Sequence, residues 1–287
     1  MPELPEVEVV KKSLENKLIN LTIKRVIVSN NKLRYKINNK EFCKIKGLKI
    51  INVKRRSKYL LINLDRNLTI LVHLGMTGKF FILDHEKRYK TSFYYSLKKN
   101  DSKHNHLILF LNKGIKLIYN DVRKFGFIKL FQSQNIYECN HLKFLGPEPL
   151  TKAFNARYIK NYILKKKIKI KNLLMDQKFI AGLGNIYCNE ILFLCKISPN
   201  RIAKKINKKE LINIVKFTKK ILKKSISRGG SSIKDFTSAD GQNGNFQQSF
   251  NVYNREKGKC KIKNCSGIVR KIYISGRSSF FCAKCQK

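Results

Sequence analysis

The hydrophobic pattern of this chain changes period once, and the change sits at LGPEPL (Leu145–Leu150). Before it, apolar residues come in short, strand-like runs: Leu60–Leu64, Leu68–Leu74, Leu107–Leu111 and Ile115–Tyr119, separated by Asn, Gly and Lys. After it, they recur every three or four residues, as on helices. Phe154, Tyr158, Ile159, Tyr162 and Ile163 mark one helix and Ile186–Cys195 a second. Leu211, Ile214, Val215, Thr218, Ile221 and Leu222 mark a third, closed by Gly229–Gly230. A glycine and two prolines make LGPEPL itself the best linker. One helical pattern precedes the strands: Val7, Val10, Leu14 and Leu18 predict an amphipathic helix over Pro5–Lys17, with Pro5 in its first turn. Residues 84–106 form a polar excursion, and the tail from about residue 237 is rich in Gly, Asn and Gln before it reaches a cysteine cluster.

With 287 residues, the chain can bury one large core or two ordinary ones. Its 43% apolar content makes it globular rather than disordered. No apolar run is long enough to span a membrane, and the N-terminus lacks the basic-then-apolar layout of a signal peptide, so a cytosolic protein is expected. The net charge of +44 attracts polyanions, nucleic acid ahead of an anionic membrane surface. Lys, Ile and Asn are abundant together, as AT-rich codons would make them, so charge alone supports no more than a polyanion binder.

Eight cysteines divide into two sets. Cys43, Cys139, Cys188 and Cys195 have no pairing pattern and read as reduced thiols, partly buried. Cys260, Cys265, Cys282 and Cys285 fall in CKIKNC and CAKC, with IVRKIYI and SSFF between them around SGR (Ser275–Arg277). Two thiol pairs joined by a hairpin can complete a tetrahedron around one structural Zn²⁺. The hairpin would present Arg277 at its tip, where a guanidinium suits bidentate phosphate recognition.

The chain opens MPELPEVEVV. Methionine before proline is readily removed, which would leave the secondary amine of Pro2 at the terminus. An α-amino group titrates near ~8, below lysine at about 10, so it stays partly unprotonated at neutral pH. Such an amine can attack an aldehyde-level carbon and form an iminium, with Glu3 placed to move protons. The plainer alternative is a terminus whose acids simply favour a helix start.

PELPEVE, KYLLINL, HLGMTGKF, NDVRKFG, LGPEPL, LLMDQKFIAGLGNIYCNEILF, RGGSSIKDF, GNFQQSFNVYNREKGKC and SGRSSFFCAKCQK, in this order from Pro2 to Lys287, resemble the formamidopyrimidine-DNA glycosylase family of bacterial repair enzymes. The resemblance implies an α+β protein. An N-terminal antiparallel β-sandwich with flanking helices (2–133) would lead through a hinge (134–150) to a helix-two-turn-helix bundle (151–236) and a zinc finger (237–287), with DNA between the lobes. It also implies excision of 8-oxoguanine and formamidopyrimidines from damaged double-stranded DNA by a bifunctional glycosylase/AP lyase. That enzyme would be a monomer in the bacterial cytosol, with no nucleotide cofactor and no membrane partner. Pro2 would be the nucleophile, Glu3 the acid/base and Lys58 a second catalytic amine. Met76, Arg123 and Phe125 would fill the gap left by the extruded nucleotide. Asn185 and Arg277 would clamp phosphates, with His73 and Lys171 as further DNA contacts and Arg277 also serving the chemistry. Glu6, with Gly229, Gly230, Ser231 and the loop on to Ile233, would surround the flipped base.

Two departures stand out. Lys124 replaces the second arginine of the family's DxRRFG, offering a point charge instead of a planar fork. Cys188 replaces the alanine after Tyr187, which would put a thiol near a DNA-facing turn where oxidation weakens binding. The sister family of endonuclease VIII shares the Pro-Glu start and the finger, but typically has Gly where this chain has Leu4 and lacks LGPEPL and FQQSFNVY in this form. A non-enzymatic zinc-finger binder is the alternative of another class.

Overall fold

Once Glu3 has turned the chain, Pro5 can sit in the first helical turn, where its missing N–H leaves no bond unmade, and α1 runs Leu4–Leu18. The structure, a computed structural model, describes residues 1–29, 32–84, 87–90, 102–231 and 246–287. The expected polar excursion therefore lies largely outside the described residues, as does much of the Gly-rich tail.

Beyond α1 come β1 (Ile23–Val28), a short α2 (Asn39–Cys43), β2 (Ile50–Arg56), β3 (Tyr59–Leu64), β4 (Leu68–His73), β5 (Lys79–Asp84), β6 (Lys87–Lys90), β7 (Asn105–Leu111), β8 (Lys116–Asn120) and β9 (Phe127–Gln132). They form two antiparallel sheets, ordered β2-β3-β4-β9 and β1-β7-β8-β5-β6. Successive side chains on a strand point to opposite faces. Leu60, Ile62, Ile70 and Val72 of the first sheet accordingly meet Phe80, Ile82, Leu107, Leu109, Leu117 and Tyr119 of the second in one core. Val7, Val10, Leu14 and Leu18 of α1 join the same core. Each such side chain contributes on the order of 1.5–3 kcal/mol through removal from water. The result is the expected β-sandwich with a flanking helix.

Contacts divide the chain into two units: one takes Met1–Lys143 and the segment beginning at Gly229, the other Phe144–Arg228 and the C-terminal segment to Lys287. In the second unit, α3 (Ala156–Ile163), α4 (Ile170–Met175), α5 (Asn185–Leu194) and α6 (Lys208–Ser227) precede a hairpin of β10 (Val269–Ile274) and β11 (Arg277–Cys282). Every residue from Ile186 to Phe193 is buried, polar Asn189 and Glu190 included, so α5 is the central helix of this unit. A reciprocal capping box between Asn207 and Glu210 starts α6. The hairpin turns at Ser275–Gly276, both at positive φ (47° and 71°), the two-residue geometry whose twist matches antiparallel strands. Phe193 of α5 packs with Val252, Val269, Phe280 and Cys282, so the hairpin shares a core with the helices.

LGPEPL is anchored rather than loose. Gly146 donates to the Gln177 carbonyl (2.8 Å) and Ala181 to that of Pro147 (3.1 Å). A Cβ on Gly146 would lie 2.6 Å from Phe179 backbone atoms, so only glycine fits this approach. Among the described residues, no helix is long and apolar enough to cross a membrane.

Candidate active site and metal centre

In the β-sandwich unit, Pro2 and Glu3 are buried at the head of α1. Glu6, in the first turn, is 2% exposed and accepts from the Glu3 N–H at 2.9 Å. Its other oxygen accepts from the Ser231 N–H (2.7 Å) and hydroxyl (2.9 Å). Gly230, at φ 83°, comes so close that a Cβ there would lie 3.1 Å from Glu6 Oε1. One carboxylate thus ties the start of the chain to the segment after α6. Lys58 is 7% exposed in the two-residue turn between β2 and β3. That hairpin is tied to α1 by Arg55, which donates to Glu8 (2.6 Å) and to the Ser57 carbonyl (3.0 Å). The α-amino group of the chain is pushed below its usual 8.0 by burial. Glu3 and Glu6 oppose that shift, while Lys58 and Arg123 reinforce it. This amine is that of Met1, next to Pro2, and two acids and two cations act on it.

Two loops carry exposed apolar side chains, Met76 (37%) and Phe125 (47%). They touch backbone to backbone: a Cβ on Gly75 would lie 2.4 Å from the Gly126 nitrogen, and one on Gly126 would lie 2.7 Å from the His73 carbonyl oxygen. Asp121 locks them together. Its fully buried carboxylate accepts from the Thr77 hydroxyl of one loop and from the Gly126 N–H (2.8 Å) of the other. The Thr77 oxygen in turn accepts from the Arg123 N–H at 2.9 Å. The Arg123 guanidinium lies 4.8 Å from the centre of the Phe125 ring. His73, at the end of β4, accepts from the Gly75 N–H through Nδ1 (3.1 Å). Burial, reinforced by Lys58, Arg34 and His141, lowers its pKa to about 4, so the ring is neutral and carries its proton on Nε2.

In the second unit, Lys171 and Asn185 converge on the hairpin. Lys171 is 1% exposed, and its ammonium donates to the Ser278 carbonyl (2.8 Å) and the Ser279 hydroxyl (2.6 Å). Asn185, the first residue of α5, donates to the same Ser278 carbonyl at 3.0 Å. Asn189 accepts from the Phe280 N–H at 2.8 Å. These bonds hold Arg277, which is exposed at the start of β11.

The sulfur atoms of Cys260, Cys265, Cys282 and Cys285 all lie within 4.8 Å of one another. The pairs Cys260–Cys285 and Cys265–Cys282 are 3.7 and 3.8 Å apart. A tetrahedral site with metal–sulfur bonds of about 2.3 Å has edges of ~3.8 Å, so four thiolates here fit a structural ion with no open position. The Ile262 N–H donates to Cys260 sulfur, the kind of outer contact that orients a ligand.

Of the residues singled out from sequence, the structure groups Pro2, Glu3, Glu6, Lys58, Gly230 and Ser231 near the chain terminus. It brings Met76, Arg123 and Phe125 together on the paired loops. Ser232 and Ile233 lie outside the described residues. Lys171 does not present its amine to solvent, as a direct DNA contact would require. Cys188, expected near a DNA-facing turn and partly buried, is fully buried in α5. Sequence reasoning missed Asp121, Thr77, Arg55 and Glu8. All four lie in or beside segments already singled out, but nothing in the residues themselves signals the long-range bonds they make.

A β-sandwich followed by helix-two-turn-helix elements and a four-thiol hairpin is the architecture of a class of DNA glycosylases. Family models for the "Formamidopyrimidine-DNA glycosylase N-terminal domain" and "Formamidopyrimidine-DNA glycosylase H2TH domain" match residues 1–128 and 145–237. The formamidopyrimidine-DNA glycosylase of Rickettsia bellii is 42% identical over the full length of both chains. That of Dinoroseobacter shibae is 38% identical, again over all of both. Among solved structures, the Lactococcus lactis Fpg in complex with abasic-site DNA is similar at a TM-score of 0.85 and 30% identity over 99% of each chain. A MutM complex with DNA containing carbocyclic 8-oxo-G is similar at 0.85 and 31% over all of both. The chain belongs to the formamidopyrimidine-DNA glycosylase family, the glycosylases of DNA repair.

Proposed function

We propose that this chain is a bifunctional DNA glycosylase/AP lyase that removes 8-oxoguanine and formamidopyrimidines from duplex DNA through an iminium on Pro2. The reading is carried by the grouping of Pro2 and Glu3, buried at the head of α1, with Glu6, whose carboxylate accepts from the Glu3 N–H. It is supported by the DNA complexes of its structural relatives. With Met1 removed, the Pro2 nitrogen bonds to C1′ as the bond from C1′ to the base breaks, and the base leaves with that electron pair and a proton. Glu3 delivers a proton to O4′ as the sugar ring opens, leaving an iminium. The iminium acidifies the proton on C2′; its removal expels the 3′ oxygen, a second elimination expels the 5′ oxygen, and water releases the amine. Lys58, the nearby second amine, assists at the lesion and its phosphate.

The target cannot be reached inside the stack, so the nucleotide must be extruded at a cost of a few kcal/mol. Met76 and Phe125 offset part of that by entering the gap, and Arg123 hydrogen-bonds the orphaned base. Glu6, Gly229, Gly230 and Ser231 line the extruded base. His73 through its Nε2 proton, Asn185 and Arg277 bind phosphates, and Lys171 serves DNA by holding the hairpin that carries Arg277. One Zn²⁺ on Cys260, Cys265, Cys282 and Cys285 would stiffen that hairpin. The protein acts as a cytosolic monomer without a nucleotide cofactor.

Borohydride trapping tests this reading. Protein and a duplex with 8-oxoguanine opposite cytosine should give a covalent band that a Met1-retaining form does not. A protein that binds the duplex tightly but gives no band in either form would be a binder without the chemistry.

A further inference from the structure

One cluster in the β-sandwich unit, which meets the site above only at His73, has no part in the reading above. Lys129 projects from β9, with its Nζ 3.2 Å from His141 Nε2 and 3.8 Å from the centre of the Tyr35 ring. The Arg34 guanidinium lies 5.8 Å from that ring, which is 37% exposed. The His141 ring is 4.6 Å from Phe127, and Phe127 stacks at 5.7 Å and 15° on His73. Rings therefore run from His73 through Phe127 and His141 to Tyr35, with Arg34 and Lys129 set among them. Tyr59 closes the group, 6.2 Å from His141. Burial, Lys129 and Arg34 all hold His141 below its usual 6.5, and no carboxylate is among the groups that act on it.

We infer that Arg34, Lys129 and His141 form a further subsite for a DNA backbone phosphate, apart from the residues assigned to the lesion. Lys129 is fixed between an imidazole and an aromatic face, so ordering it on a ligand sacrifices little rotamer freedom. An ammonium has three N–H groups, and the bond to His141 uses one of them. Arg34 supplies a planar fork suited to phosphate. Two cations beside a neutral imidazole, with no acid among the described residues acting on that imidazole, are completed by an anion. A phosphodiester there would also let His141 take up a proton. The inference rests on the DNA-binding half of the proposed function and not on its chemistry.

Anisotropy titrations with an undamaged duplex at several salt concentrations test it. Lys129→Met should make the slope of log affinity against log salt shallower by about 0.9, one phosphate's share. Wild-type affinity should rise as pH falls from about 7.5 to 5.5, because bound phosphate raises a pKa that is depressed in the free protein. His141→Gln, which keeps an acceptor for Lys129, should flatten that rise. His73, with its pKa at about 4, stays silent in this range. Arg34, Lys129, Tyr35 and Tyr59 also face the His141 ring, and burial pushes the Tyr59 hydroxyl above its usual 10, so it stays protonated. Should either variant misfold, the His141 ring signals of the wild type decide by NMR, since duplex should raise their titration midpoint. Equal slopes together with an unmoved His141 midpoint would overturn the subsite. So would loss of binding to phosphatidylglycerol vesicles in Lys129→Met with DNA binding unchanged, because the ligand would then be a membrane. Failure of borohydride trapping with these responses intact would remove the catalytic reading alone.

Discussion

Asp121 does at the residue scale what no motif announces. Its buried carboxylate accepts from Thr77 and Gly126, so the loops that present Met76, Arg123 and Phe125 move as one body. Removing the acceptor leaves two donors without their partner at a cost of about 1–3 kcal/mol each where no water replaces it. Misplacing groups by about 1 Å can slow a reaction ~100-fold. We expect Asp121→Ala to slow 8-oxoguanine excision from duplex about 10- to 100-fold. Cleavage of an abasic site in single-stranded DNA needs no gap filled and should change much less. Equal loss on both substrates in single-turnover assays would make Asp121 a general stabiliser instead. The spacing of these bonds, residue 77 to 121 and 121 to 126, explains why the pattern is silent in the sequence. A carboxylate next to a turn looks like any solvated turn acid until the fold closes over it.

At the scale of elements, α5 and the β10–β11 hairpin are built for each other. Glu190 of α5 accepts from the backbone N–H groups of Asn251, Val252 and Tyr253 and from the Asn251 amide, drawing the segment ahead of the hairpin onto the helix. Asn185, Asn189 and Lys171 hold β11 itself. Structural zinc contributes directly to folding free energy. Chelation, or Cys282→Ser, should therefore loosen Arg277 and abolish tight duplex binding while far-UV circular dichroism keeps its helical signal. A loss of even ~3 kcal/mol would lower Tm by roughly 6–12 °C in a domain of this size. Full duplex affinity in metal-free protein would count against the finger's role. The helices α1, α3, α5 and α6 were legible from apolar spacing because each is long enough to show a period. The helices α2 and α4, of five and six residues, are not, and they form where tertiary contacts close over them.

At the scale of the whole molecule, a net charge of +44 makes electrostatics the first event of any encounter with DNA. A protein that meets 6–10 phosphates loses about 10³- to 10⁵-fold in affinity between 50 and 200 mM salt. We expect a log–log salt slope of about −6 or steeper for undamaged duplex. A flat response would show that the lysines do not face the DNA.

By itself, the sequence determined the local and the periodic. The order of strands and helices follows from where apolar residues repeat. The four-thiol cluster follows from cysteine spacing, and the hairpin from the strand-like runs around Ser275–Arg277, with the turn itself falling at Ser275–Gly276. These depend on neighbours a few residues apart, or on thiols with one obvious use. Only the tertiary structure decided which polar side chains would be buried and what they would touch. The resemblance makes Lys171 a DNA contact, yet its amine is enclosed and bonded to a strand more than a hundred residues away. Cys188 reads as a partly buried thiol near a DNA-facing turn and is fully buried in the core. Glu6 reads as a helix-start acid, which it is, and it also holds Ser231. The physical reason is the same in each case. A buried polar group must find a partner, and that partner is chosen by how the chain packs.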